Sequence, residues 1–125
     1  MDSDLSEKTA FVTGGSAGIG AATVRMLAEA GSTVVVGYNK GEGRATSLIE
    51  SLPGGPHSTQ QITMEDSASI KRAADTIKKR HDKLHILVNS AGFTKPIPHN
   101  NLDALDDKFF DHMLLANVRG PFSVI

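Results

Sequence analysis

The sequence predicts an α/β domain in which a doubly wound parallel sheet is covered by helices on both faces, giving three layers. Short β-branched runs alternate with segments of helical period, and this alternation is typical of βαβ units. The run at residues 34–36 is apolar throughout, which suits a strand buried on both faces. A glycine-rich turn follows the first predicted strand. Because 125 residues is the length of one domain, we expect residues 1–125 to form a single unit.

The first half of the chain is predicted to form strand, helix, strand and helix. The two strands are expected at residues 10–13 and 34–36. Apolar residues at helical spacing between them predict the buried face of the first helix: Ile19, Ala22, Met26, Leu27 and Ala30. Gly31 is placed to end that helix. A second helix is expected over residues 45–52, stopped by Pro-Gly-Gly-Pro at 53–56.

The second half is predicted to add two strands and two helices. A weak polar strand at residues 58–64 is expected at the sheet edge. The helix after it is capped by Asp66 or Ser67, and its buried stripe is Ile70, Ala73, Ala74 and Ile77. A fourth strand is expected at 84–89, followed by a longer helix from about residue 103 through Asn117. The predicted strand order is 3-2-1-4.

Composition narrows the class of partner. Lysine and arginine total 13 against 14 acids, so no net field favours nucleic acid or an anionic membrane. The first eight residues are acidic where a secretory signal needs basic and apolar segments, and we expect a cytoplasmic protein. With no cysteine, thiolate chemistry and zinc-thiolate sites are excluded. No metal site is expected, since no metal-ligand spacing links the five histidines: His57, His81, His85, His99 and His112.

The turn at residues 13–20 reads Thr-Gly-Gly-Ser-Ala-Gly-Ile-Gly. Glycines at a strand-to-helix junction permit positive φ and leave room for a ligand beside the backbone. The free N–H groups and the dipole of the following helix then favour a pyrophosphate. The spacing is G-x-x-x-G-x-G rather than the usual G-x-G-x-x-G. A tight turn without a ligand is the alternative interpretation.

Three motifs in order resemble those of a known family. The glycine-rich turn, Asn-Ser-Ala-Gly at residues 89–92 and the Asn-x-x-Gly-x-Phe segment at 117–122 resemble the N-terminal half of the short-chain dehydrogenases/reductases. The resemblance covers essentially the whole chain and implies a Rossmann-type fold. It also implies an NAD(P)-dependent oxidoreductase that transfers hydride between the nicotinamide and a small alcohol or carbonyl substrate. The implied cofactor contacts are Gly14, Ser16, Gly18 and Ile19 at the diphosphate and ribose, and Asn89, Ala91 and Gly92 beside the adenosine ribose.

Asn117 matches the asparagine of the family's catalytic tetrad, which supports a water linked to the lysine. The alternative is a polar side chain that bonds to backbone inside a kinked helix. The tetrad's serine and Tyr-x-x-x-Lys pair are not in this sequence, and Tyr38 is the only tyrosine. We therefore expect the 125-residue chain itself to be inactive. The alternative function is a non-catalytic dinucleotide-binding module or a degenerate fragment.

The end of the second strand bears on the choice of cofactor. An NAD-specific enzyme normally places an acid there for the ribose hydroxyls, and Tyr38 takes that position. Asn39 and Lys40 supply donors and positive charge for a 2′-phosphate. Ala17 points the other way, because many NADP-dependent relatives carry a basic residue there. We expect NADP(H) to be favoured over NAD(H). Thr63, where the family often has an aspartate, puts the adenine contact in doubt.

The C-terminal residues predict further contacts. The chain ends inside the apolar stretch 121–125, so we expect more polypeptide or another chain to cover this face and the sheet to be incomplete on the C-terminal side. Phe109, Phe110 and Met113 are expected in the core or at a subunit interface. A homo-oligomer is the expected assembly.

Overall fold

The computed structural model describes residues 4–125, so the first three residues of the acidic N-terminal segment lie outside the described residues. All strands in the described part are parallel and form one sheet. They are β1 (Thr9–Thr13), β2 (Thr33–Tyr38), β3 (Ser58–Gln61) and β4 (Ile86–Asn89). Their order is β3-β2-β1-β4, which confirms the predicted parallel sheet and its strand order.

Helices cover both faces of this sheet. Within residues 4–125 they are α1 (Gly18–Glu29), α2 (Glu42–Ser51), α3 (Ser67–Arg80), α4 (Asp107–Leu114) and α5 (Gly120–Val124). A 3₁₀ turn (Leu102–Ala104) precedes α4, and a π-helical segment (Leu115–Arg119) joins α4 to α5. None of the helices in the described part is long and apolar enough to cross a membrane.

The core lies on both sides of β1 and β2. Successive side chains of a strand point to opposite faces. Val12, Val34 and Val36 therefore pack with α1 and α2, whereas Phe11 and Val35 pack with α3 on the other face. Because both faces are buried, these two strands have the continuous apolar character that their sequence shows.

The buried face of α1 differs from the predicted one. Its buried residues are Gly20, Ala21, Val24 and Ala28, whereas Ile19 is 83% exposed and Met26 is 54% exposed. The helical period was right, but its phase was wrong. The helix approaches the turn after β1 so closely that a Cβ at Gly20 would overlap the carbonyl oxygen of Gly14. Close approach selects small residues for the contact face and leaves the larger ones outside.

Two predicted strand boundaries also change, since β3 ends at Gln61 and β4 begins at Ile86, each shorter than predicted. The cap of α3 is Asp66, one of the two predicted residues, and it accepts the Ala68 N–H at 3.0 Å. The long helix expected from about residue 103 is present, but it starts later, at residue 107, and it runs through α4, the π-helical segment and α5 to residue 124. Asp106 accepts the Phe109 N–H at 2.8 Å, and this side-chain cap starts α4 at residue 107.

β4 lies at the edge of the sheet, and its only strand partner among the described residues is β1. Its residues are not fully buried. Between β4 and α3 the structure has a cavity of about 470 Å³ whose lining is mainly apolar, including Phe11, Ile77 and Leu87. Large apolar side chains beyond β4 are exposed: Phe110, Leu114, Val118, Phe122 and Ile125.

Candidate functional site

A cleft of about 390 Å³ lies where the strands end, and loops that follow all four strands contribute to it. The strand order reverses direction at β1, since the chain crosses to β2 on one side and to β4 on the other. Such a switch point at the carboxyl ends of parallel strands is where this architecture binds ligands. The predicted residues that line the cleft are Gly14, Ser16, Tyr38, Asn39, Lys40, Ala91 and Gly92.

The glycine turn forms the floor of the cleft. Gly14 has φ of 61°, and a Cβ there would lie 2.8 Å from the backbone N of Ala91. Gly18 has φ of 55° and opens α1, with free space around the position of its absent Cβ. The first turn of α1 contains no acidic residue, and Ala17 makes no side-chain cap. Its N–H groups are therefore available to an anion.

Thr13 holds the opposite wall, a role that the sequence did not indicate. Its side chain is fully buried, and its hydroxyl oxygen accepts the N–H groups of Ser90 at 3.1 Å and Ala91 at 3.2 Å. This fixes the loop after β4 across the mouth of the turn. Asn89, in contrast, lies outside the cleft lining, and its amide donates to the carbonyl oxygen of Pro121 at 3.3 Å.

The positive charges of the cleft come from Lys40 and Arg44. Arg44 was missed from the sequence. A Cβ on Gly41 would lie 2.9 Å from both the Arg44 Cζ and the Ser16 hydroxyl, so the guanidinium lies across that glycine and beside the turn. Arg44 is in the first turn of α2, where the helix dipole disfavours a cation. A cation at this unfavourable position of a helix was the signal in the sequence that could have identified Arg44 as a site residue.

Asn39 is oriented by its neighbours. Its amide oxygen accepts the hydroxyl of Thr63 at 3.0 Å and the amide of Gln61 at 3.4 Å. Thr63, which stands where the family often has an aspartate, therefore holds the cleft residue Asn39 in place. With the oxygen engaged, the NH₂ group of Asn39 is the part of the side chain left to donate to a ligand.

Asn117 lies in the π-helical segment and is not part of the cleft lining. Its Oδ1 accepts the Phe93 N–H at 2.7 Å, and its Nδ2 donates to the Phe93 carbonyl at 2.7 Å. The side chain thus bonds both backbone groups of one residue in the loop after β4. This is the geometry of the backbone-bonding interpretation, and a role in catalysis stays a prediction. Ile19 and Gly18 likewise lie outside the lining.

The parallel sheet, its switch-point cleft and the glycine turn at a helix N-terminus together define a Rossmann-type, nucleotide-binding architecture. The sequence model of the short chain dehydrogenase family matches residues 8–125, and the chain belongs to this family.

Relatives of known name are similar over most of the chain. It is 35% identical over 124 residues to D-threitol dehydrogenase of Mycolicibacterium smegmatis, covering 98% of this chain and 46% of the relative. A crystal structure of a short chain dehydrogenase from Burkholderia cenocepacia in complex with NADP superposes with a TM-score of 0.88 at 34% identity, over 96% of this chain and 49% of that one. The chain therefore spans about half the length of these relatives.

A third relative is much shorter. The short-chain dehydrogenase/reductase homolog YusS of Bacillus subtilis is 33% identical over 99 residues, which are 78% of this chain and 91% of the relative. The family thus includes a chain that the present one covers almost completely.

Proposed function

We propose that this chain binds the dinucleotide of an NADP(H)-dependent oxidoreductase that transfers hydride between the nicotinamide and an alcohol or carbonyl substrate. The observation that carries the proposal is the cleft itself, which is lined by the glycine turn up to Ala17, the N-cap residue of α1, and by the two cations Lys40 and Arg44. The Burkholderia relative, crystallised with NADP, supports it.

In this proposal the pyrophosphate lies over the glycine turn. The backbone at Gly14, Ser16 and Gly18 approaches it, and the N–H groups of the first turn of α1 supply donors. Ile19, exposed at the start of α1, is proposed to contact the ribose. Ala91, whose N–H donates to Thr13, and Gly92 next to it flank the adenosine ribose, and Asn89 supports that loop through its bond to Pro121.

The preference for NADP(H) is proposed on the charges near Tyr38. A 2′-phosphate needs donors and positive charge, which Lys40, Arg44 and the NH₂ group of Asn39 supply. Tyr38 places no carboxylate there, so nothing at that position repels the phosphate. The guanidinium of Arg44 also offsets the absence of a basic residue at Ala17.

The hydride step needs a proton donor or base at the substrate oxygen. Tyr38, the only tyrosine, lines the cleft beside Asn39 and Lys40, where the proposed 2′-phosphate lies. We infer that this chain positions the cofactor and that the proton-transfer group, with the substrate contacts, belongs to further polypeptide. Asn117 is proposed to act with that group, and its bonds to Phe93 fix its place.

A non-catalytic dinucleotide-binding module is the second candidate. We keep it because the short relative YusS, of which this chain covers 91%, shows that the family includes chains of about this length. The two candidates share cofactor binding and differ in turnover. A homo-oligomer and a cytoplasmic location stay predictions. The exposed apolar face that includes Leu114, Val118 and Phe122 supports the former.

Cofactor binding is tested by two matched glycine substitutions. Gly18 and Gly54 both have positive φ, of 55° and 71°, and both have free space around the missing Cβ. Gly18→Val brings a branched side chain into the proposed phosphate path, and we expect calorimetry to show no NADPH binding. Gly54→Val carries a similar backbone strain in an exposed loop away from the cleft and should bind like the parent. Equal affinities for parent and Gly18→Val would reject the proposed site.

A further inference from the structure

The lining of the cleft also contains a negative charge. Among the described residues that line the cleft, Glu65 is the one acid. It follows β3, and its side chain is 28% exposed. A carboxylate beside a site for a pyrophosphate opposes binding unless it is neutralised or held aside. For a dinucleotide to bind, the Glu65 carboxylate must therefore be neutralised or held away from the phosphates.

His112 of α4 contacts that carboxylate. Its Nε2 lies 3.2 Å from Glu65 Oε1, so the imidazole donates to the carboxylate. The backbone of Glu65 is also held in place. The Arg119 guanidinium donates to the backbone carbonyl of Glu65 at 3.0 Å. His112 of α4 and Arg119 of the π-helical segment thus both bind Glu65, in the loop after β3.

Phe93 fixes the imidazole in place. The Phe93 and His112 rings stack with centroids 4.5 Å apart and 28° between their planes. Phe93 lines the cleft, and its backbone is bonded on both sides by Asn117. Phe109 packs at an angle on the same ring at 6.3 Å. The imidazole therefore has a defined position, and its donor points to Glu65.

We propose that His112 is a positioning residue of the cleft, which holds the Glu65 carboxylate away from the phosphates of the bound dinucleotide. The inference rests on the proposed function, because it assigns the held acid to the same cleft. The contact joins the loops after β3 and β4 to α4, so it also sets the width of the cleft on this side. Loss of the donor leaves Glu65 free to turn toward the anionic ligand.

The test separates the donor from the packing. His112→Phe preserves an aromatic ring against Phe93 and removes the donor. His112→Gln retains a donor of similar reach and gives up the stack. We expect His112→Phe to weaken NADPH binding by about two- to fivefold, as for a partly exposed charge contact, and His112→Gln to bind within about twofold of the parent. NADPH fluorescence titration measures both.

The second substitution identifies the cause. Glu65→Gln in the His112→Phe background removes the freed charge and should restore the parent affinity. A role of His112 in packing alone predicts no such rescue. Adenosine, which has no phosphate, should bind parent and His112→Phe equally, and added salt should narrow the NADPH difference. His99→Phe, in the exposed loop after β4, is the control for an added phenyl ring.

Each outcome decides between the two proposals. A parent chain that does not bind NADPH contradicts the proposed function. In that case nuclear Overhauser effects between the Phe93 and His112 rings still test the stacking in the free chain. Their absence overturns the proposed position of His112. A parent that binds, with no loss in His112→Phe or no rescue by Glu65→Gln, overturns the positioning role and leaves the proposed function standing.

Discussion

The part of the chain up to α3 and the part after it are built differently. In the first, β1 and β2 are covered on both faces, and their valines are fully buried. After α3, Ala116 is the one apolar residue of the described part that belongs to the buried core, and β4 is only half-buried. The difference shows that the glycine turn rests on a core buried on both sides of the sheet, whereas the loop after β4, on the other side of the cleft, is attached to a segment with little buried apolar surface.

In the part after α3, hydrogen bonds of side chains, rather than buried apolar residues, attach the segment to the rest of the molecule. Asn117 bonds Phe93 across 24 residues, and the grip of His112 and Arg119 on Glu65 spans 47 and 54 residues. These contacts attach α4 and the π-helical segment to loops near the cleft. Polar contacts at partly exposed sites contribute less than apolar burial. We expect the second segment to open more readily than the first.

The largest expected effect concerns chemistry. The chain has the proposed cofactor cleft but no tyrosine other than Tyr38, so the 125-residue chain should reduce no ketone with NADPH. The missing proton transfer alone accounts for about 10²- to 10⁴-fold in rate. The measurement is absorbance of NADPH against a panel of ketones, with the cofactor and buffer alone as control. Turnover above that background would contradict the proposed division between cofactor binding and proton transfer.

A pair of valines compares the stability of the two regions. Val24 is fully buried in α1, and Val118 is 60% exposed in the π-helical segment. Val24→Ala should lower the free energy of unfolding by about 2 to 3 kcal/mol through lost burial and a cavity. Val118→Ala should change it by less than about 0.5 kcal/mol. Urea unfolding followed by circular dichroism measures both, and similar losses would break the contrast between the regions.

A smaller effect is expected from the cations at the cleft. Lys40→Ala and Arg44→Ala should each weaken NADPH by about 1 to 2 kcal/mol more than NADH, because each loses a charge-assisted contact to the 2′-phosphate. Lys79→Ala, an exposed lysine of α3, should leave both affinities unchanged. Calorimetric titrations with the two cofactors provide the comparison. Equal losses for NADPH and NADH would reject the assignment of these residues to the 2′-phosphate.

The sequence predicted best where the structure is local. The glycine turn and the apolar β2 run are each specified within a few neighbouring residues, and both are confirmed as structural elements. The face of α1 was wrong, because which side meets the sheet depends on how closely Gly20 approaches Gly14. The start of the last helix depends on the Asp106 cap, and its π-helical segment carries the long-range bonds of Asn117. Period alone does not show such contacts.

In the candidate site, too, the residues close to the motifs could be predicted from the sequence and the long-range contacts could not. Predicted cofactor-binding residues next to the strands line the cleft, among them Ser16, Lys40 and Ala91, and their contact with a cofactor stays a prediction. Arg44 reaches the cleft by folding over Gly41, and Thr13 holds the loop after β4 from 77 residues away. Neither contact is visible in a motif. Motifs indicate the ligand class, and the side chains that hold the motifs together emerge from tertiary packing.

The most direct measurement is an NMR titration of the ¹⁵N-labelled chain with NADPH. We expect amide shifts to concentrate at the cleft, at Gly14, Ser16, Lys40, Arg44 and Ala91, and the outer face at Val118 and Phe122 to be unaffected. Gly18→Val should abolish the whole set. Shifts confined to the apolar cavity between α3 and β4, or none at saturating cofactor, would contradict the claim that this chain binds a dinucleotide at the ends of its strands.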